Sequence, residues 1–238
     1  MKNKLLTGLL ICVAHAGFAQ WQQQTSPTNA NLYDVSFYDQ RIGYAVGANG
    51  TVLRTKNGGK EWQQMKSPDS SDLLTVTVID SFTVIVTTAG NDLRAPGIYR
   101  TITGGTKWQK VLSDPDPFYA TATPKDELFS VSKKIYQSSD TGKTWIPRSK
   151  NIDSNHTFTH ISFYDKNKGM IGGNVAGPIH YSAEFLRSVN GGQSWWGSDP
   201  FSFPNDNGFS AMSELRGDTV LMFTNKFNGY APSDSSEL

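Results

Sequence analysis

Cysteine is nearly absent from this sequence, and long apolar runs are absent altogether. The only cysteine is Cys12, which lies within the apolar run Leu5–Val13. That run is too short to cross a bilayer, so we expect no membrane span. A single cysteine also excludes a disulfide framework and a thiolate metal site.

The first 19 residues have the pattern of a secretory signal peptide. Basic residues precede the apolar run, and Gly17 and Ala19 stand at the small-residue positions that a signal peptidase reads. We therefore predict cleavage after Ala19, with residues 20–238 forming one exported domain. The expected location is the periplasm or the extracellular space.

The sequence also lacks an excess of charge of either sign. It has 22 Lys and Arg against 21 Asp and Glu, and loss of Lys2 and Lys4 with the signal peptide leaves 20 against 21. Such a domain has no global electrostatic attraction for nucleic acid or for an anionic membrane. Helical periodicity is missing too, which excludes a glycine-rich phosphate loop leading into a helix.

What the sequence does have is one phrase repeated four times. Each copy places Thr or Ser, a short polar residue, Gly and Trp at fixed offsets. The copies are residues 54–62, 100–108, 137–145 and 187–195. Their tryptophans are 46, 37 and 50 residues apart. Units of this length, each holding about four short strands, are typical of a β-propeller. We predict an all-β fold, a β-propeller of four-stranded blades with about five visible repeats.

Alternating apolar residues and turn signals predict the strands within each unit. Those of the first unit are Leu32–Phe37, Ile42–Gly47, Thr51–Thr55 and Lys60–Met65. The pair Asn49-Gly50 predicts a tight hairpin between the second and third strands. Later units repeat this pattern, and a fifth begins with Phe209–Leu215 and Thr219–Thr224.

The number of blades has two interpretations. Trp21-Gln22-Gln23 matches Trp62-Gln63-Gln64, so Trp21 could supply the fourth strand that the fifth unit lacks. That pairing would close a ring of five blades and remove its exposed edges. The alternative is a truncated chain whose longer parent has six or seven blades. The sequence leaves both open.

The repeated phrase is interpreted as structural. A short Asp or Asn side chain accepts hydrogen bonds from turn amides, Gly supplies a positive φ, and Trp packs between neighbouring blades. The residues to which we assign these roles are Asn57, Gly59, Trp62, Gly105, Trp108, Ser138, Asp140, Gly142, Thr144, Trp145, Asn190, Gly192 and Trp195.

Arginine recurs at one position of three units, as Arg54, Arg100 and Arg187, with Gln137 at the fourth. Equivalent positions recur around a propeller axis, so these residues are candidates for a cationic arc that binds acidic peptide segments or carboxylates. Alternatively, each Arg packs its stem along a neighbouring blade and pairs locally.

The phrase Ser138-x-Asp140-x-Gly142-x-Thr144-Trp145 resembles the Asp-box, the bacterial neuraminidase repeat. The first unit, from Val35 to Trp62, is similar throughout to the photosystem II stability and assembly factor-like family, which carries this phrase once per blade. Plant and cyanobacterial members assist photosystem assembly by binding protein partners, and exported relatives occur in non-photosynthetic bacteria. The resemblance therefore implies a binding scaffold with a protein partner of unspecified identity. Together with the signal peptide, this leads us to expect an exported, non-enzymatic scaffold.

The alternative function is a carbohydrate-active propeller, either a sialidase-like glycoside hydrolase or a lectin that binds a glycan. Sialidases carry an Arg-Ile-Pro phrase near the first blade, and this chain has Arg41-Ile42-Gly43 instead. Ordinary glycosidases need two facing carboxylates. The candidates are Asp34, Asp80, Asp126 and Glu184, but no spacing favours a particular pair. We therefore assign no catalytic residue.

Metal and cofactor sites are not expected either. His156 and His160 lie four residues apart, in what is interpreted as a loop entering a strand. On an extended strand this spacing is about 13 Å, too far for one ion.

Overall fold

The computed structural model describes residues 23–91, 93–122, 127–148, 155–176, 181–197, 207–214 and 220–226. The first two blades contain β1 (Leu32–Phe37), β2 (Gly43–Gly47), β3 (Thr51–Thr55) and β4 (Gln63–Gln64), then β5 (Leu73–Val78), β6 (Val84–Thr88), β7 (Gly97–Thr101) and β8 (Gln109–Ser113). The next two contain β9 (Ala120–Ala122), β10 (Leu128–Val131), β11 (Ile135–Ser138) and β12 (Ile146–Pro147), then β13 (His156–Phe163), β14 (Gly169–Ala176), β15 (Tyr181–Ser188) and β16 (Trp196–Gly197). The fifth unit contributes β17 (Asn207–Glu214) and β18 (Val220–Lys226).

Each of the first four units is a separate antiparallel sheet whose strands pair in chain order. The first strands of successive sheets contact one another, β1 with β5, β5 with β9, β9 with β13 and β13 with β17. This is the arrangement of propeller blades, so the predicted all-β propeller is confirmed. In the described residues no helix is long and apolar enough to span a membrane.

The hairpin predicted at Asn49-Gly50 is confirmed. A short 3-10 turn, Ala48–Gly50, joins β2 to β3, and the N–H of Thr51 donates to the carbonyl of Ala48. Asn49 and Gly50 have φ angles of 55° and 69°. Two consecutive positive φ angles match the twist of the flanking strands, which is why Asn-Gly is favoured here.

The core consists of apolar clusters between adjacent blades. Between blades 1 and 2 it contains Tyr44, Val46, Val52, Leu73, Val76, Val78, Val84, Val86 and Tyr99. Blades 2 and 3 enclose Ile85, Ile98, Phe118, Leu128, Tyr136 and Trp145, and blades 3 and 4 enclose Phe129, Val131, Ile135, Phe158, Ile171 and Leu186. Because each sheet alternates its side chains between two faces, blades 2 and 3 each supply both of their faces to these clusters.

The repeat tryptophans pack toward the preceding blade. Trp108 packs against the cluster between blades 1 and 2, and Trp145, 8% exposed, belongs to the cluster between blades 2 and 3. Trp195 meets the ring of Phe129 edge-on at 6.3 Å. Trp62 lies on the face of blade 1 that points away from blade 2, edge-on to Phe37 at 6.0 Å.

The segment before β1 has the geometry of an interblade linker. Ser26 Oγ donates to the carbonyl of Thr28 at 2.9 Å, and the N–H of Thr28 donates back at 3.3 Å. Ser67 and Asp69, in the linker between blades 1 and 2, exchange the same two bonds. The segment that follows Gln23 is thus built like a connection out of a preceding fourth strand. Trp21, which we predict to lie on such a strand, is outside the described residues, as is the signal peptide.

Candidate functional site

Each Asp-box forms a turn between the third and fourth strands of its blade. A Thr or Ser hydroxyl at the end of the third strand accepts the N–H of the glycine four residues later. The distances are 2.9 Å from Gly59 to Thr55, 3.2 Å from Gly105 to Thr101, 2.9 Å from Gly142 to Ser138 and 2.8 Å from Gly192 to Ser188. These glycines have φ between 78° and 88°, which other residues adopt only with strain.

The short polar residue of the phrase closes the same turn. Asp140 Oδ1 accepts the N–H groups of Lys143 and Thr144 at 3.0 and 2.9 Å, and Oδ2 accepts the hydroxyl of Thr144 at 2.6 Å. Burial alone would raise the pKa of Asp140, but the hydrogen bonds from Thr144, Ser138 and Lys143 together outweigh it and lower the pKa to about 2. Asn57 and Asn190 accept equivalent N–H groups at 3.0 and 3.1 Å. The side-chain oxygens of Asp140, Asn57 and Asn190 therefore stabilise the turns in which these residues lie.

The structure places Arg54 between blades 1 and 2. Its guanidinium donates to the carbonyl of Ser81 at 3.0 Å and to that of Gly104 at 3.4 Å, and it lies 5.4 Å from the ring centre of Tyr44. Its Nε is buried without a hydrogen-bond partner. Arg54 thus joins its own third strand to two turns of the next blade.

Arg100 makes the corresponding contact from blade 2 to blade 3. Its Nε donates to the carbonyl of Thr141 at 2.8 Å, and its Nη2 reaches the hydroxyl of Thr141 at 3.1 Å. Arg187, the third member of the candidate arc, is exposed on β15. Gln137 is buried and bonded to Glu127 and Arg148. Arg54 and Arg100 therefore pair locally with the neighbouring blade, as in the second interpretation of the arginines given above. Binding of a partner by the three arginines stays a prediction.

Two of the acidic residues considered for catalysis cap backbone amides. Asp34 Oδ2 accepts the N–H of Val76 at 2.8 Å, joining blade 1 to blade 2, and burial raises the pKa of Asp34. Asp80 Oδ1 accepts two N–H groups of its own turn at 2.7 and 2.8 Å. Asp126 and the side chain of Glu184 lie outside the described parts of the chain.

The histidine pair lies on β13, so the loop interpretation of His156 was wrong. A β-bulge between Phe158 and His160 breaks the register of this strand against β14. Burial lowers the pKa of His160. Within the described ranges, no group of three or more His, Cys, Asp or Glu could hold a metal ion.

Sequence reasoning missed a buried tyrosine–aspartate pair that occurs twice. Tyr99 donates to Asp69 at 2.6 Å, and Tyr136 donates to Asp114 at 2.5 Å. Each aspartate lies in the linker that enters the tyrosine's blade, and both are 4% exposed. The signal was available in the sequence, because Ser-Pro-Asp at 67–69 and Ser-Asp-Pro at 113–115 both follow a fourth strand.

The outward face of blade 1 is an apolar groove of about 450 Å³. Tyr33, Val35 and Trp62 are among its lining residues. Val35 is 56% exposed, whereas Val76, at the same register position of blade 2, is 4% exposed. The groove is thus the interblade face of a sheet that lacks a preceding blade among the described residues.

Comparison with known proteins shows to which family the chain is similar. The sequence profile of the family described as Photosynthesis system II assembly factor YCF48 matches residues 13–148, more than half of the 238-residue chain. No curated protein matches the chain.

Solved structures match at low identity. A GH74 xyloglucanase from Xanthomonas campestris is 16% identical with a TM-score of 0.55, over 76% of this chain and 33% of the xyloglucanase. This chain therefore spans about a third of that enzyme. The computationally designed Ika8 protein is 13% identical with a TM-score of 0.51, over 82% of this chain and 56% of Ika8. YCF48 bound to D1 peptide is 15% identical with a TM-score of 0.38, over 84% and 90%. The first two similarities concern the fold alone.

Proposed function

Because this chain belongs to the family described as Photosynthesis system II assembly factor YCF48, we propose that it is an exported, non-enzymatic β-propeller scaffold that binds a protein partner. The family match is the observation that carries the proposal. The family's namesake, YCF48, has been solved bound to D1 peptide, which supports the binding of a peptide by a member of this family. The partner of the present chain is expected to be a protein of the compartment to which it is exported.

The geometry of the repeats supports a scaffold. The polar side chains of the Asp-box phrase form hydrogen bonds within their own turns, as Asp140 does, and Arg54 and Arg100 bond to the adjacent blade. Residues used in this way hold the blades in position and leave binding to the side chains that differ between blades. Arg187, exposed and equivalent to two engaged arginines, is the member of the candidate arc that is best placed to meet a partner.

Export is supported by the first 19 residues, with their apolar run and the small residues Gly17 and Ala19. Expression of the full chain, followed by mass measurement of the periplasmic and secreted fractions, tests this part of the proposal. We expect a mature protein that begins at Gln20. A full-length product that stays in the cytoplasm contradicts export.

Binding is tested with the purified chain from Gln20 onward. Lysine-reactive cross-linking in an envelope extract identifies candidate partners, and each is then purified and titrated with the chain by calorimetry. We expect one saturable complex of defined stoichiometry, and the heat-denatured chain serves as control. If no captured protein binds saturably, while the chain releases reducing ends from xyloglucan or sialic acid from a sialylated glycan, the scaffold proposal fails.

A further inference from the structure

In the described parts of the chain, one side of the propeller carries the turns between strands 1 and 2 of blades 1, 2 and 4 and the turns between strands 3 and 4 of blades 1 to 4. We call this side the turn face, and its described segments are residues 38–42, 56–62, 79–83, 102–108, 139–145, 164–168 and 189–195. In blade 2 the N–H of Gly104 donates to the carbonyl of Phe82 at 2.9 Å. Blades 1 and 4 have the same bond between their two turns, at 2.9 and 2.8 Å. In blades 1, 2 and 4 the two turns therefore form one continuous surface.

Blade 2 differs from blade 1 in the side chains that it exposes on this surface. Phe82 is 59% exposed and Ile102 is 60% exposed, where blade 1 has Arg41 and Lys56. The backbone of Phe82 has a structural task, since its N–H donates to Asp80 and its carbonyl accepts from Gly104. Its ring, like the side chain of Ile102, belongs to none of the three interblade clusters. These two apolar side chains therefore add nothing to the core and remain available for contact.

Cationic side chains lie in the same blade as the two apolar side chains and in the adjacent blade. The Arg54 guanidinium lies on the carbonyls of Ser81 and Gly104, which flank them. Lys107 is exposed in the same turn as Ile102, and Lys56 is exposed on the adjacent blade. The acids in the turns of blades 1 and 2 on this face are Asp39, Glu61 and Asp80. One oxygen of Asp39 and one of Asp80 each accept two turn amides, and Glu61 accepts from the amide of Asn57.

The cations of the turn face also differ from those of the opposite face. The ion pairs found in the described segments are Arg94–Asp69, Lys133–Asp116 and Lys134–Asp114. All three lie in the linkers and in the turns between strands 2 and 3, on the opposite side of the propeller. None of them includes Lys56 or Lys107. The turn face thus combines exposed apolar side chains with lysines that have no acid paired to them in this part of the chain.

We propose that Phe82 and Ile102, the blade 2 patch, dock a segment of the partner protein in which apolar side chains are flanked by carboxylates. This inference rests on the proposed function and names the chemistry of the partner. The apolar side chains would be covered by those of the segment, and Lys56 and Lys107 would pair with its carboxylates. Complementary charge then selects an acidic segment over a basic one.

Fluorescence anisotropy with short synthetic peptides tests the patch. The probe is a fluorescein-labelled peptide of Leu, Phe, Glu and Ser, and its two counterparts carry Lys in place of Glu or Ser in place of the apolar residues. We expect only the first to bind. The double variant Phe82→Ser/Ile102→Ser should weaken binding by about tenfold or more. Leu93→Ser, which changes a 93% exposed leucine on the opposite face, should leave it unchanged.

A second measurement does not depend on variants. With isoleucine methyl groups labelled for NMR, the probe should shift the Ile102 signal and leave the signal of Ile146, a 47% exposed residue on β12, in place. Equal binding of the acidic and basic peptides, or a patch variant that binds as well as the parent chain, overturns the proposed site.

The experiments distinguish a failure of the proposed scaffold function from a failure of the proposed docking site. If a partner found by cross-linking binds the Phe82→Ser/Ile102→Ser variant as tightly as the parent chain, the scaffold function holds and the blade 2 patch is wrong. If neither a partner nor the acidic peptide binds, both proposals are wrong. Loss of partner binding in the patch variant alone, with Leu93→Ser unaffected and both variants melting like the parent, supports both.

Discussion

The hydroxyl of Tyr99 donates to the carboxylate of Asp69 at 2.6 Å, in a place where both side chains are almost entirely buried. Tyr99 lies on the third strand of blade 2, and Asp69 lies in the linker by which the chain enters that blade. Ser71 contributes its N–H and hydroxyl to the same carboxylate, at 3.0 and 2.8 Å. The bond thus fixes the start of blade 2 to its own third strand, and Tyr136 and Asp114 do the same in blade 3.

Replacing Tyr99 with Phe should destabilise the protein by about 1–3 kcal/mol, because the buried carboxylate loses a donor while the ring stays. Urea unfolding followed by circular dichroism measures the change. Tyr136→Phe should behave alike. Tyr38→Phe, at a 49% exposed tyrosine, serves as control and should have no effect. If all three variants are as stable as the parent chain, the bond between Tyr99 and the linker contributes nothing to stability.

The same pair makes stability depend on pH at both extremes. Burial acts to raise the pKa of Asp69, but bonds from Tyr99 and Ser71 lower it from 3.8 to about 2. The contribution of ionised Asp69 to the free energy of unfolding is therefore complete above pH 3.8 and is lost as the pH falls through about 2. Burial and the bond to Asp69 raise the pKa of Tyr99 from 10.0 to about 12. This contribution is complete below pH 10 and is lost as the pH rises through about 12. Urea midpoints measured from pH 2 to 5 and from pH 9 to 12 should show both losses, and Tyr99→Phe should reduce them.

Arg100→Ala should cost about 1 kcal/mol, since it removes two bonds between blades 2 and 3 at a partly exposed site. Arg187→Ala at the equivalent position of blade 4 should change stability by less than about 0.5 kcal/mol, because that side chain is exposed. Thermal unfolding of the two variants checks the difference. Equal losses would mean that Arg187 is also engaged by a neighbouring blade.

Asp140 offers a test of the Asp-box with a rescue variant. Asp140→Ala should destabilise by about 1–2 kcal/mol, because the amides of Lys143 and Thr144 lose their acceptor. Asp140→Asn should restore most of the loss, since Asn57 and Asn190 fill the same place in blades 1 and 4. Urea unfolding at neutral pH compares the three proteins. An Asn variant as weak as the Ala variant would indicate that charge, and not the shape of the acceptor, holds this turn.

Two glycines at the same position of the repeat should respond differently to alanine. Gly59 and Gly142 have similar φ angles of 87° and 79°, so both substitutions cost about 1–2 kcal/mol in backbone strain. A Cβ at Gly142 would also lie 2.5 Å from Cδ1 of Ile85, while one at Gly59 would meet nothing closer than 3.6 Å. Gly142→Ala should therefore be the more destabilising, as measured by calorimetry. The reverse order would show that the cluster between blades 2 and 3 yields easily.

The strands could be predicted from the sequence because their causes are local. Alternation marked β1 and β3 to the residue. The fourth strand of the first unit was predicted too long, as Lys60–Met65 against the observed Gln63–Gln64. The reason is that the N–H of Glu61 is bonded to Asn57 within the Asp-box turn and does not reach the third strand. Here the turn overrides the strand pattern.

The contacts between blades could not be predicted in the same way. Arg54 and Gly104 are 50 residues apart, and Tyr99 and Asp69 are 30 residues apart. No local pattern says which carbonyl or carboxylate such a side chain will reach. The recurrence of Arg at one position indicated a shared role, but a shared structural role and a shared binding role leave the same pattern in the sequence.

The linker geometry shared by residues 26–28 and 67–69 has a consequence for how the length of this protein can change in evolution. One period of the sequence does not coincide with one blade, because a stretch from a tryptophan to the next contains the last strand of one sheet and the first three of another. Recombination that gains or loses a whole period therefore leaves every sheet with its four strands, one half from each side of the join. Such exchanges would change the number of blades and would require new packing only between the blades that become neighbours. Lineages of this protein can thus be expected to differ in length by whole periods.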